Sequence, residues 1–190
     1  MKPVRVGLTA ALLAALPATS SAAPEQSWAH KSGLVVLQHN GVRHVGDTAK
    51  ERLLIMEAFA RWGIAYDEGQ AAVIASLFTE DARYSVTEGS AVPLVSLRGR
   101  DSIVESVMKV LRIQNDQRRH AMSNVVIERM DRTSATALAY GIVTIAHDDK
   151  LTLGASVIYT ADLERGNDGV WRFSRFVIGM DKYVGVKPQP

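Results

Sequence analysis

The sequence predicts an α+β domain in which three helices cover one face of a strongly curved antiparallel sheet. Apolar residues recur at helical spacing up to about residue 113, and they alternate with polar ones from His120 onward. Gly141, Gly154 and Gly179 fall inside the alternating runs, where they fit bends or bulges that curl such a sheet into a cone. With 190 residues, 47% of them apolar and 22% charged, the chain is long enough for one domain with a sizeable core. It has no cysteine, which excludes disulfides and thiolate chemistry.

Residues 1–23 have the order of a secretory signal: Lys2 and Arg5, an apolar run from about Val6 to Leu16, then small residues ending in Ala22-Ala23. The run is too short to span a bilayer. Its removal leaves 20 basic against 20 acidic residues, so the pI near 9.0 is no nucleic-acid footprint. The expectation is an exported protein, periplasmic or extracellular, with neither a nucleic-acid partner nor a membrane partner after processing. Residues 24–47, punctuated by Pro24, Gly33, Gly41 and Gly46, read as a loosely packed arm with one short strand at Leu34 to Gln38. His30, His39 and His44 in this arm do not have metal-ligand spacing and read as surface residues.

The segment that organises the chain is 48–88. Thr48 with Glu51 three residues on is a capping-box signature, and Leu54, Ala58, Trp62, Ala65 and Tyr66 share a helical face. The spacing predicts a helix over 48–67, ended by Gly69. Asp67 then lies in the last turn, where its charge faces the unfavourable end of the helix dipole and needs a partner. A second helix over 70–78 leads directly into a strand in which Ala82, Tyr84 and Val86 alternate with polar residues.

GSAVPLVSLRGR, residues 89–100, reads as a turn-rich connection. Ser102 with Glu105 begins a third helix, whose apolar face of Ile103, Val107, Val110 and Leu111 runs to about 113. Asn115 to Arg119 reads as a solvated loop, because Arg118 and Arg119 have no glycine-rich loop beside them to form a phosphate site. Four strand-like runs follow, beginning at His120, Ser134, Leu151 and Gly169 and separated by compact turns, as in an antiparallel meander. With the Tyr84 strand they predict a sheet of five or more strands.

In the first of these runs His120, Met122 and Asn124 share one face by period two. That face is too polar for a dry core and too apolar for open surface, and it suits a pocket lining. In the last run Trp171 and Phe173 stand on one register and Phe176 and Ile178 on the other, so both faces of that strand are expected to be partly covered, with Trp171 as packing.

WGIAYDEGQAAVIASLFTEDARY (62–84), RGRDSIVE (98–105), RRHAMSNVVIE (118–128) and DGVWRFSRF (168–176) together resemble the SnoaL-like branch of the nuclear transport factor 2-like superfamily, which contains scytalone dehydratase and the lindane dehydrochlorinase. The resemblance covers about 48–183, leaving 184–190 as a tail, and implies a conical fold around one deep pocket. It also implies a role for Asp67 and His120, which match the aspartate–histidine pair of those two enzymes. Tyr66 and Tyr84 look like the paired tyrosines of the dehydratase, which act on a substrate carbonyl through water. No histidine between Asp67 and His120 matches the dehydratase's further pocket histidine, which argues against scytalone itself.

The activity implied is that of a cofactor- and metal-free lyase or isomerase on a small, mostly apolar carbonyl compound, cyclic ones included. Asp67 would orient His120 as the base, Tyr66 and Tyr84 would donate to the carbonyl, and Trp62, Met122 and Asn124 would contact the substrate. The alternative is a noncatalytic small-molecule-binding domain or an accessory subunit of the same fold, since fold alone does not fix function. A homodimer or homotrimer is expected from the same resemblance.

Overall fold

The computed structural model describes residues 27–37 and 49–181. The signal-like segment, Thr48 of the capping box, His39, His44 and the tail lie outside them. In order, the described elements are α1 (Trp28–Lys31), α2 (Ala49–Asp67), α3 (Ala71–Ser76), β1 (Phe78–Glu88), β2 (Pro93–Arg98), α4 (Arg100–Ile113), β3 (Gln117–Met130), β4 (Ser134–His147), β5 (Lys150–Arg165) and β6 (Trp171–Met180).

The strands form one curved, open, six-stranded sheet in the order β2-β1-β6-β5-β4-β3. Helix α4 carries the chain from the β2 edge to the β3 edge, and three successive hairpins bring it back until β6 meets β1. The sheet is therefore mixed rather than wholly antiparallel. The β1–β6 pair runs parallel, with Tyr84 opposite Phe176 and Val86 opposite Ile178, while every other pairing is antiparallel.

The helical core shares Ala58, Trp62 and Ala65 with the face that the periodicity marks, but its centre lies one residue on from Leu54 and Ala58, at Ile55 and Phe59. Ile55, Phe59 and Trp62 on α2 are almost completely buried, as are Ile74 on α3 and Ile103 on α4. They close over Phe78, Tyr159, Phe173 and Phe176 from the concave side of the sheet. Two of the central ring pairs meet edge-on: Trp62 and Phe176 lie 5.2 Å apart and Phe59 and Phe173 5.3 Å apart, an arrangement favoured by ring quadrupoles. Trp171 is buried as packing, and its Nε1–H donates to Glu51 Oε2 at 2.7 Å, tying the start of α2 to β6.

Several local expectations are corrected. Residues 89–100 are not only a turn-rich connection; within them residues 93–98 form an edge strand, where a proline lacking its N–H is tolerated. Helix α4 starts at Arg100, after an N-cap glycine without a side-chain cap, so Ser102 is already inside it. In β6 an extra residue, Ser174, stands opposite the step from Asp162 to Leu163 and returns Phe176 to the face of Phe173; both are fully buried in the same core rather than on opposite sides.

The arm is corrected too. Its described part makes one helical turn, α1, and Leu34 to Leu37 form no strand. It is docked rather than loose: Ala29 is fully buried, Trp28 Nε1–H donates to Asp181 Oδ1 at 2.6 Å, and the Thr160 hydroxyl donates to the Leu34 carbonyl at 3.0 Å. His30 is exposed.

Candidate functional site

Two features of the chain bring Asp67 and His120 together. Helix α2 stops because Gly69 takes φ +62°, the left-handed conformation that costs glycine least. Gly69 N–H then donates to the Tyr66 carbonyl at 3.1 Å and Gln70 N–H to the Ala65 carbonyl at 2.8 Å, the pair of bonds that defines a Schellman C-terminus. Asp67 is thereby held at the last helical residue, with α2 laid across the start of β3. Close approach is possible there because residue 63 is glycine: a Cβ on it would lie 3.1 Å from His120 Cβ.

The carboxylate finds its partner on β3. His120 N–H donates to Asp67 Oδ2 at 2.8 Å, and His120 Nδ1 lies 2.5 Å from Asp67 Oδ1. Both side chains are almost out of solvent, 4% exposed for Asp67 and 9% for His120. An adjacent ion pair, Arg119 to Glu68 at 3.1 Å, joins the same two elements at the surface. With Nδ1–H donating to the carboxylate, the imidazole is fixed in one tautomer and Nε2 keeps its lone pair.

His120 lines a cleft of about 460 Å³ that lies between the helices and the concave face of the sheet and opens to solvent. Its walls are mainly aliphatic, from Val86, Val95, Val107, Val143, Ile145, Val157 and Ile178. The polar groups are few: His120, Tyr66, Tyr84, Tyr159, Ser106 and Arg118. Tyr66 packs edge-on against the His120 ring at 5.1 Å, and Trp62 stands 5.6 Å from Tyr66 and 6.2 Å from Tyr84.

The three tyrosines are kept as neutral donors. Burial pushes the Tyr66 hydroxyl above the usual phenol range, against the pull of the Arg118 charge. Burial also raises Tyr84 strongly, helped by the neighbouring Tyr66 and Tyr159 hydroxyls. Tyr159 is raised by burial and then by Tyr66 and Asp67. Gly141 makes room for the Tyr159 ring, since a Cβ there would stand 2.6 Å from Cε2. The ring in turn stacks on Phe176 at 5.5 Å.

The structure thus gathers Trp62, Tyr66, Tyr84 and His120 around one cavity, with Asp67 behind the histidine. Met122 and Asn124 are placed differently from the expectation of a shared pocket face. Neither lines this cavity. Met122 is packed beneath α2, near Gly63 and Gly141. Asn124 is exposed, with φ +50°, at a bulge where Ser123 pairs with Tyr140 but Val126 with Leu138. The extra residue reverses the alternation, so Val125 and Ile127 point inward after it. A short polar side chain that tolerates positive φ is the sequence signal for such a bulge.

Tyr159 and Ser106 are cavity residues with no sequence signal of their own, and Arg118, expected in a solvated loop, joins them on the cavity wall. The expected solvated loop ends early, because Gln117 to Arg119 already belong to β3 and period two places Arg118 on the face of His120. Arg118 Nε and Nη2 donate to Asp116 Oδ1 and Oδ2 at 2.8 and 3.1 Å. Among the described residues no three His, Asp or Glu side chains converge as a metal-ligand set, and no helix is long and apolar enough to cross a membrane.

Solved structures share this architecture. A cystatin-like-fold protein of unknown function from Nostoc punctiforme aligns with TM-score 0.63 at 20% identity, over 76% of this chain and 100% of that one. A Catenulispora acidiphila protein solved in complex with S-DNPA aligns with TM-score 0.59 at 26% identity, over 70% and 95%. The beta subunit of a putative aromatic-ring-hydroxylating dioxygenase from Novosphingobium aromaticivorans aligns with TM-score 0.60 at 19% identity, over 68% and 88%. No curated protein matches. The SnoaL-like domain family matches residues 47–177, which span α2 through most of β6 and carry every cavity residue named above except Ile178, and the chain belongs to that family.

Proposed function

We propose that the protein is a cofactor-independent lyase or isomerase that removes a proton from carbon beside a carbonyl in a small, mostly apolar ligand. The observation that carries this reading is the His120–Asp67 pair at 2.5 Å, buried at the wall of an aliphatic cavity. The cavity is of a size for a small cyclic compound, and a structural neighbour of 26% identity has been solved in complex with S-DNPA.

Nε2 takes the proton from the acidic carbon, and the electron pair of the broken C–H bond moves onto the carbonyl oxygen as an enolate. A Tyr84 or Tyr66 hydroxyl donates to that oxygen; both stay protonated because burial raises them. Protonated Nε2 then gives its proton to a leaving hydroxyl, which departs as water, or to a second carbon. The first course is dehydration and the second isomerisation. Asp67 holds the imidazole throughout. We also propose export, on the composition of residues 1–23.

The test is deuterium incorporation at the carbon beside the carbonyl of β-tetralone in deuterium oxide. The wild-type protein is expected to accelerate exchange and His120→Ala to lose that acceleration. Retained affinity for the ketone with no exchange in either protein would instead support the binding-domain alternative.

A further inference from the structure

We propose that Arg118 is a carboxylate-binding residue of the cavity, which makes the ligand an apolar compound with one acidic group. The guanidinium has five N–H donors in a planar fork. Its Nε edge is occupied by Asp116, at 2.8 Å from Nε and 3.1 Å from Nη2. That bidentate contact fixes the plane of the group. It leaves both N–H of Nη1 and one of Nη2, the end of the fork, with no acceptor among the described residues. The end of the fork is the edge that matches the two oxygens of a carboxylate.

Asp116 and, farther off, Asp67 act on Arg118 from outside the cavity wall, so an added carboxylate is recognised by the open fork edge rather than by an uncompensated charge. Arg118 lines the cavity, and no Asp or Glu is among the lining residues. The other polar groups on the wall, the tyrosine and serine hydroxyls, can each donate, and the remaining surface is aliphatic, so a multiply charged phosphate would meet one guanidinium and little else. A monocarboxylate on an apolar body matches both parts.

Arg118 and His120 are two residues apart on the same face of β3, so their Cα atoms are separated by roughly 6–7 Å at the rise of an extended strand. The geometry therefore places the carboxylate several bonds from the carbon that Nε2 addresses. This spacing rests on the proposed role of His120; the carboxylate site itself does not.

The experiment compares binding of naphthylacetate with that of its neutral counterpart naphthylacetamide by calorimetry. Wild-type protein is expected to favour the acid by about tenfold or more, Arg118→Gln to lose the preference, Arg118→Lys to keep part of it, and Arg132→Gln, an exposed arginine away from the cavity, to keep it. Equal binding of acid and amide by the wild type would overturn the proposal, a result that needs no variant to fold. So would a preference that survives Arg118→Gln, or one that disappears with Arg132→Gln. Proton exchange is not read in this comparison, so failure of the catalytic reading leaves its outcome untouched.

Discussion

Asp67 holds His120 at two points, accepting the backbone N–H on Oδ2 at 2.8 Å and meeting the ring Nδ1 with Oδ1 at 2.5 Å. One carboxylate thus sets both the position of the strand residue and the tautomer of its ring. A change at Asp67 has two separable consequences, one structural and one chemical.

Asp67→Asn keeps an oxygen for the His120 backbone N–H but turns an amide nitrogen toward Nδ1. The ring is expected to move its hydrogen to Nε2, which ends its use as a base. Nitrogen chemical shifts should report the altered tautomer, and proton exchange should fall roughly 10²- to 10⁴-fold, as when a general base is lost. His120→Ala should cost as much, and the double variant little more, because the two side chains act as a unit.

Tyr84→Phe removes a buried donor without emptying the site. If its hydroxyl meets the enolate oxygen, turnover should drop by roughly 10²-fold with little change in ligand affinity. Tyr66→Phe, tested in parallel, shows which hydroxyl carries the larger share. Unchanged turnover in both would remove the tyrosines from the mechanism.

Alkali should unfold the protein, with the tyrosines as reporters. Tyr66, Tyr84 and Tyr159 all hold their protons above the usual value of 10.0 when folded. Unfolded tyrosines release theirs near that value, so above it the unfolded state binds fewer protons and folding stability falls as pH rises. The stabilisation is complete below about pH 10 and is lost progressively above it. Tyrosinate absorbance and circular dichroism are expected to change together for these three residues.

Gly141→Ala should be destabilising, although alanine ordinarily improves a strand over glycine. The added Cβ meets the Tyr159 ring at 2.6 Å, and that ring is stacked on Phe176. Overpacking of this kind costs about 1–3 kcal/mol, and the shifted Tyr159 should weaken ligand binding as well. Denaturant unfolding and calorimetric titration measure the two effects.

Trp28→Ala tests the arm. Removing the indole breaks its bond to Asp181 and uncovers outer-face residues near β5 and β6, so stability should fall by about 1–3 kcal/mol. The His120 tautomer should be unaffected, since Asp67 and His120 are held from the opposite face of the sheet.

Much of the site was legible because its signals are local. Helix α2 follows from the spacing of its apolar residues, and its end from Gly69, so Asp67 at a helix terminus in need of a partner can be read from the chain itself. His120 at the start of an alternating run, and Tyr84 on a strand, are readable in the same way. The resemblance pairs Asp67 with His120; the backbone contact that doubles the link belongs to the folded state.

What the sequence determined by itself is the existence of the main helices and strands: a buried α2 face through Ala58, Trp62 and Ala65, the alternation in the later strands, and a chain with no thiol. Tertiary structure decided the rest. The parallel β1–β6 pairing joins segments about ninety residues apart, which no local period encodes. Asn124 leaves the pocket face because pairing with β4 inserts a bulge, and Arg118 enters it because β3 begins three residues before His120. The arm docks because the outer face of the sheet offers it Asp181 and Thr160. The physical reason is common to these cases: helix and strand periods arise from neighbours along the chain, whereas register, bulges and docking depend on which distant surfaces must be buried together.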